Sequence, residues 1–114
     1  MSPEAAIAAL DRALAATGED IVLRRTTGTK PAIPLDVGVR ASVRGYRPEE
    51  LVGGIIQGDS LVIVSPTEMK QRRWCWPPRA NDKAVIDEKV RNVVAVNGIK
   101  MKGVLVRIEL TVRG

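Results

Sequence analysis

Whatever chemistry this sequence offers lies in its basic and aromatic residues. In "KQRRWCWPPR" Lys70, Arg72 and Arg73 run directly into Trp74 and Trp76, the mixture with which single-strand binders stack bases beside a positive groove. On an extended chain the two tryptophans share one face and Cys75 takes the other. The same pattern therefore also fits two rings that cover a sheet or pack at an interface, and the sequence leaves both readings open. A second basic group, Arg40, Arg44 and Arg47, surrounds the start of "RGYRPEELVGGIIQGDSL", residues 44–61. If both groups point the same way, a ring of copies carries a positive belt suited to DNA phosphates or to an acidic neighbour; otherwise they are a solvated face.

Catalysis has little to work with. The chain contains no histidine, hence neither the commonest general base nor the usual partner of a serine or cysteine nucleophile. The adjacent acids Glu49-Glu50 and Asp87-Glu88 sit in turn-like contexts that suit solvated charge. One cysteine without histidine excludes the common zinc sites and any internal disulfide, and Cys75 reads as a small buried hydrophobe. Gly53-Gly54 lacks phosphate-loop spacing; the pair suits positive φ in a connection that folds back, or a hinge. No catalytic residue, metal or cofactor is expected, and the chain is read as not an enzyme.

The elements that must position these groups follow from composition and period. With 114 residues, 45% of them apolar, the chain can build one core, so one domain over 1–114 is expected. Lacking Phe, that core must be aliphatic, which favours strands. Ser2, Pro3 and Glu4 form a helix start, and Ile7, Leu10 and Leu14 carry an amphipathic helix over about 3–16, stopped by Gly18. From about 20 to 113 the period is two. Val37, Val39, Ala41 and Val43 alternate with polar residues, as do Val104, Val106, Ile108, Leu110 and Val112. The expected fold is mainly β: a small antiparallel β-barrel or sandwich of about six strands, the barrel preferred, with the helix attached and a long inserted loop at about 44–60. "DEK" and "NGIKMKG" read as turns, and 65–82 as a second irregular or partly extended region. No window approaches a membrane span and the N-terminus lacks the order of a signal peptide, so a soluble protein made in the cytoplasm is expected, with no membrane partner. The net charge of +5 fits nucleic acid, an acidic partner, or simple solubility.

The order "AAIAALDRALAATGEDIVLRR", "VRASVRGYRPEELVGGIIQGDSLVIVSP", "WPPRANDKAVID" and "VNGIKMKGVLVRIELTVRG" resembles the head-to-tail joining proteins of tailed bacteriophages and gene transfer agents, the head-completion or stopper proteins. The likeness covers almost the whole chain, and its most specific part is the central strand, inserted loop, Gly-Asp turn and apolar strand ending in Ser-Pro. It departs from the pattern at Asn81-Asp82, where Gly-Asp is usual, and at Asn92 or Val93, where an aromatic is. The resemblance implies a β-barrel subunit in a ring of six or twelve copies at the virion neck. There it meets a portal adaptor and a tail terminator or tail tube protein, closes the DNA exit and faces packaged double-stranded DNA without reading its sequence. Under this reading Arg40, Arg44, Tyr46 and Arg47 face the lumen. Leu51, Val52, Gly53, Gly54, Ile55, Ile56, Trp74 and Trp76 meet neighbouring subunits or the tail, and Lys70, Arg72 and Arg73 form a second basic segment. An apolar patch of Leu51, Val52, Ile55 and Ile56 would be buried in every copy of a head-to-tail ring. A tail terminator ring and a monomeric OB-like single-stranded nucleic acid binder are the competing readings.

Overall fold

Ser2 opens helix α1: its hydroxyl accepts the Ala5 amide hydrogen at 3.1 Å, and Pro3 occupies a first-turn position that needs no amide hydrogen. In the computed structural model, which describes residues 1–27, 33–74 and 77–114, α1 spans Pro3–Thr17. Gly18 ends it for want of space, since a Cβ there would stand 2.6 Å from the Leu14 carbonyl oxygen and 2.8 Å from that of Ala41.

The strands are β1 (Glu19–Thr27), β2 (Ile33–Gly45), β3 (Ser60–Val64), β4 (Lys83–Ile86), β5 (Lys89–Met101) and β6 (Val104–Arg113). All pair antiparallel, in the order β1-β2-β3-β6-β5-β4, and β4 returns to β1 through Val22↔Val85 and its neighbours, so the sheet closes into a six-stranded barrel. Closure explains the alternation: Leu23, Val39, Ala41, Val62, Val64, Ala84, Ile108, Leu110 and Val112 point inward and are buried in one cluster, while Arg24, Arg44, Arg107, Glu109 and Arg113 hold ion pairs on the outside.

In this order β3 and β4 lie on opposite sides of the barrel. Residues 65–82 therefore have to link opposite sides of the barrel, and Met69 and Trp74 pack into its core on the way. A short helix, α2 (Thr67–Gln71), inserts Met69, which is fully buried, and Trp74 follows at 7% exposure with its Nε1 donating to the Leu35 carbonyl at 2.8 Å. Arg25 stacks over the Trp74 ring at 5.2 Å and grips Asp82 with two bonds of 2.8 Å. This region was expected to be irregular; α2 forms there because one buried methionine anchors a single turn and a half. Asn81 adopts φ of 77°, a left-handed conformation that asparagine tolerates almost as glycine does.

Two further expectations change. The long connection is 46–59, because β2 keeps Arg44 and Gly45 and pairs Gly45 with Ser60. The turn expected over "NGIKMKG" shrinks to Lys102-Gly103, with φ of 50° and 78°, a tight hairpin turn of the primed kind. Strand β5 thus runs on to Met101, and Gly98 is accommodated because the Leu105 Cδ1 lies 2.8 Å from where its Cβ would be. Since β5 meets β4 only at Lys89–Asn92, and β6 meets β3 only at Ile108–Val112, the stretch Ile99–Arg107 pairs with itself alone and forms a two-stranded arm. Helix α1 leans on that arm, Leu10 and Ala13 sharing a recess with Ile99 and Val106. The turn expected around "TGTKPAIP", together with Cys75 and Trp76, falls largely or wholly outside the described residues.

Candidate interaction site on the long connection

Strands β2 and β3 are hydrogen-bonded neighbours, so a two-residue turn could join them. Residues 46–59 are surplus to the barrel, and their sequence explains how they fold back onto it. Pro48 starts a single 3-10 turn, Pro48–Glu50, which aims Glu50 back at the strand it left. Its carboxylate accepts both Arg44 guanidinium nitrogens at 2.9 and 3.0 Å and the Arg47 amide at 2.8 Å. Those bonds hold the Glu50 carboxyl down to about 2, the Arg44 contact contributing most. At the far end Asp59, whose side chain is 1% exposed, accepts Arg113 twice, at 2.8 and 2.9 Å. Its carboxyl is likewise lowered, mainly by Arg113. Arg113 also donates to the Gly54 carbonyl at 2.9 Å, and Arg91 to the Gly58 carbonyl at 3.3 Å. Tyr46 Oη and Thr111 Oγ1 share a hydrogen bond of 2.7 Å.

The connection is therefore clamped at both ends over the outer face of β6 and β3, above a cleft of about 310 Å³ that reaches Ala95 and Asn97 of β5. Between the clamps Gly53, at φ of 62°, makes the turn closed by the Ile55 amide and the Val52 carbonyl. Gly54 has no positive φ, so only one of the two glycines carries that role. Val52 and Ile56 remain 66% and 52% exposed, whereas Leu51 and Ile55 are half-buried. The exposed apolar surface expected here is thus two residues, not four.

The basic residues separate. Arg40 does not belong to the connection: its guanidinium donates to the Leu14 carbonyl at 3.0 Å and meets Asp20 at 3.2 Å, tying the end of α1 to the barrel. Arg44 is committed to Glu50. Arg47 is exposed and, among the described residues, its guanidinium has no ion pair. Arg72 reaches toward Gly38 and lines a groove on β1, β2 and β4 whose Asp20 and Glu68 also meet Arg40, and Glu50 takes Arg44, so acids interleave these cations in place of a continuous basic belt. Lys70 and Arg73 are exposed around the end of α2. Trp74 is a core residue sealed under Arg25 and is not an interface residue; Trp76 lies outside the described residues. Among the described residues no group of histidine, cysteine and acidic side chains could hold a metal ion, and no helix is long and apolar enough to cross a membrane.

A closed antiparallel barrel with a clamped, outward-facing connection is the class these features define. No protein-family model matches the chain and no curated protein is similar to it in sequence.

Proposed function

We propose that this chain is a structural ring subunit of a virion neck, a stopper set between portal adaptor and tail that closes the DNA exit and offers the tail its attachment surface. The observation that carries the reading is the connection 46–59, too long for the strands it joins and held stiff by Glu50 and Asp59 while presenting Val52 and Ile56 to solvent. A surface that is rigid and apolar at once is pre-organised for a protein neighbour, because little entropy is left to lose on docking. The closed barrel with one long helix, in place of helices layered on a sheet, favours the stopper over a tail terminator. The burial of Trp74 withdraws one of the two rings that the single-strand binder needs.

On this reading Arg47 is the residue left to face packaged DNA, since Arg40 and Arg44 are engaged by this chain's own groups. Electron cryomicroscopy of the native particle neck tests the assignment. A ring of this chain between adaptor and tail, with 46–59 at the lumen or at a subunit interface, is the expected result; absence of the chain from the neck overturns it.

A further inference from the structure

The β5–β6 arm and a groove on the opposite flank of the barrel are complementary in charge. From Lys89 to Ile108 the sequence has five basic residues and no acid. At the arm's tip Lys100 and Lys102 are exposed, beside Ile99 and Val104 at 36% and 38% exposure. The groove, of about 560 Å³, is lined by Val22, which pairs with Gly38 on one side and Val85 on the other, and Arg72 Nη1 stands 3.9 Å from where a Gly38 Cβ would be. Asp20, Asp87 and Glu88 line it together with Arg72. A fourth carboxylate there, Glu68, is occupied by the Arg40 amide at 3.0 Å, and Asp20 meets Arg40 at 3.2 Å. Asp87 and Glu88 have no ion pair among the described residues, and neither do Lys100 and Lys102.

Strand β5 connects the two features. It starts right after Asp87-Glu88 and ends right before Lys102-Gly103, a rise of roughly 40 Å in a molecule whose longest extent is 45 Å. No arm can fold back into its own groove.

We propose that the arm of one copy docks into the acidic groove of the next. Lys100 and Lys102 then meet Asp87 and Glu88, and the apolar flank of the tip covers Val22 and Val85. Because donor and acceptor are different surfaces at opposite ends of one strand, the contact is heterologous and propagates from copy to copy, closing into a ring when the rotation allows. The inference rests on the ring reading for its occupant, a second copy, and adds a contact separate from the one at Val52 and Ile56.

Sedimentation equilibrium of the full chain at low salt, up to millimolar concentration, tests it, with circular dichroism confirming that each variant is folded. Expected is self-association that weakens with added salt and drops by about tenfold or more in Lys100→Glu/Lys102→Glu and in Asp87→Lys/Glu88→Lys. Mixing the two reversed variants restores association, since each arm then faces a groove of opposite charge. A wild-type monomer at millimolar concentration, association indifferent to both reversals, or no restoration on mixing overturns the contact. Association that survives both reversals and is lost in Ile56→Asp overturns it while leaving the ring reading standing; absence of the chain from the native neck sinks that reading alone.

Discussion

Two connections of this chain look alike in sequence and do opposite work. Residues 46–59 and 65–82 are both charged, punctuated by proline and supplied with a few large apolar side chains. The first turns Val52 and Ile56 outward, and the second turns Met69 and Trp74 into the core. The difference lies in what each has to span. Joining neighbours β2 and β3 needs almost no chain, so 46–59 is free to be decoration; joining β3 to β4 across the barrel leaves 65–82 no path except over an open hydrophobic end. Topology, more than composition, decides which apolar residues a connection keeps for itself.

Substitutions that separate the two connections follow from this. Trp74→Ala should cost about 3–5 kcal/mol, as a deleted core aromatic does, measured as a fall in the urea midpoint. Val52→Asp/Ile56→Asp should leave that midpoint within about 0.5 kcal/mol of the parent while abolishing assembly; a large loss of stability would mean the connection is core after all. The two carboxylate clamps should rank next. Asp82→Ala removes two charged bonds from Arg25, whose side chain is only 12% exposed, and should cost about 3 kcal/mol. Asp59→Ala releases Arg113, which at 40% exposure can rehydrate, and should cost about 1 kcal/mol. Equal losses would erase the distinction between sealed crossing and clamped surface.

Acid should open the outer connection. The Glu50 carboxyl sits near 2 in the folded chain against an ordinary 4.5, so its contribution is fully present above about pH 4.5 and drains away as pH falls toward 2. The depressed Asp59 acts with the same sign. Hydrogen exchange at the Arg47 and Ile56 amides, corrected for intrinsic rate, should accelerate across that window, and Glu50→Gln should bring the Arg47 change to neutral pH. Protection that persists at pH 2 would show that the carboxylates do not hold the connection down. The smallest effect is local: Gly53→Ala should cost about 1 kcal/mol for a left-handed alanine, and Gly54→Ala close to nothing, because only the former has φ of 62°. Matching costs would return both glycines to the same role.

Much of this was legible before any coordinates. Period-two alternation identified the barrel strands because closure buries one face of each, and Ser2-Pro3 marked the start of α1 through local chemistry alone. Four apolar residues among turn formers were legible in 46–59, whereas the half-burial of Leu51 and Ile55 that leaves only Val52 and Ile56 exposed was not. What stayed hidden depends on contacts distant in sequence. Trp74 turns inward because Leu35 offers it a carbonyl and Arg25 a lid, and Arg40 leaves the basic group because the end of α1 needs a cation. Neither partner is visible from the neighbours of those residues. The arm was missed for a different reason, since Asn97-Gly98 imitates a turn where Leu105 instead needs room. The Lys-Gly pair at 102–103 was the usable signal.

Sealing the barrel through Val22↔Val85 also fixes the order of events as the chain is made. When β1, β2 and β3 have left the ribosome, they form a three-stranded sheet whose two flanking strands lack partners and whose apolar face has no lid. Both defects persist until some twenty further residues deliver β4, and the β3 flank waits longer still, for β6. Closure brings together residues some sixty positions apart, a costly loop for so small a domain. The nascent chain is therefore a sticky half-shell from the emergence of Val64 until β4 and β6 arrive, and a fragment ending at Val64 should aggregate where the complete chain does not.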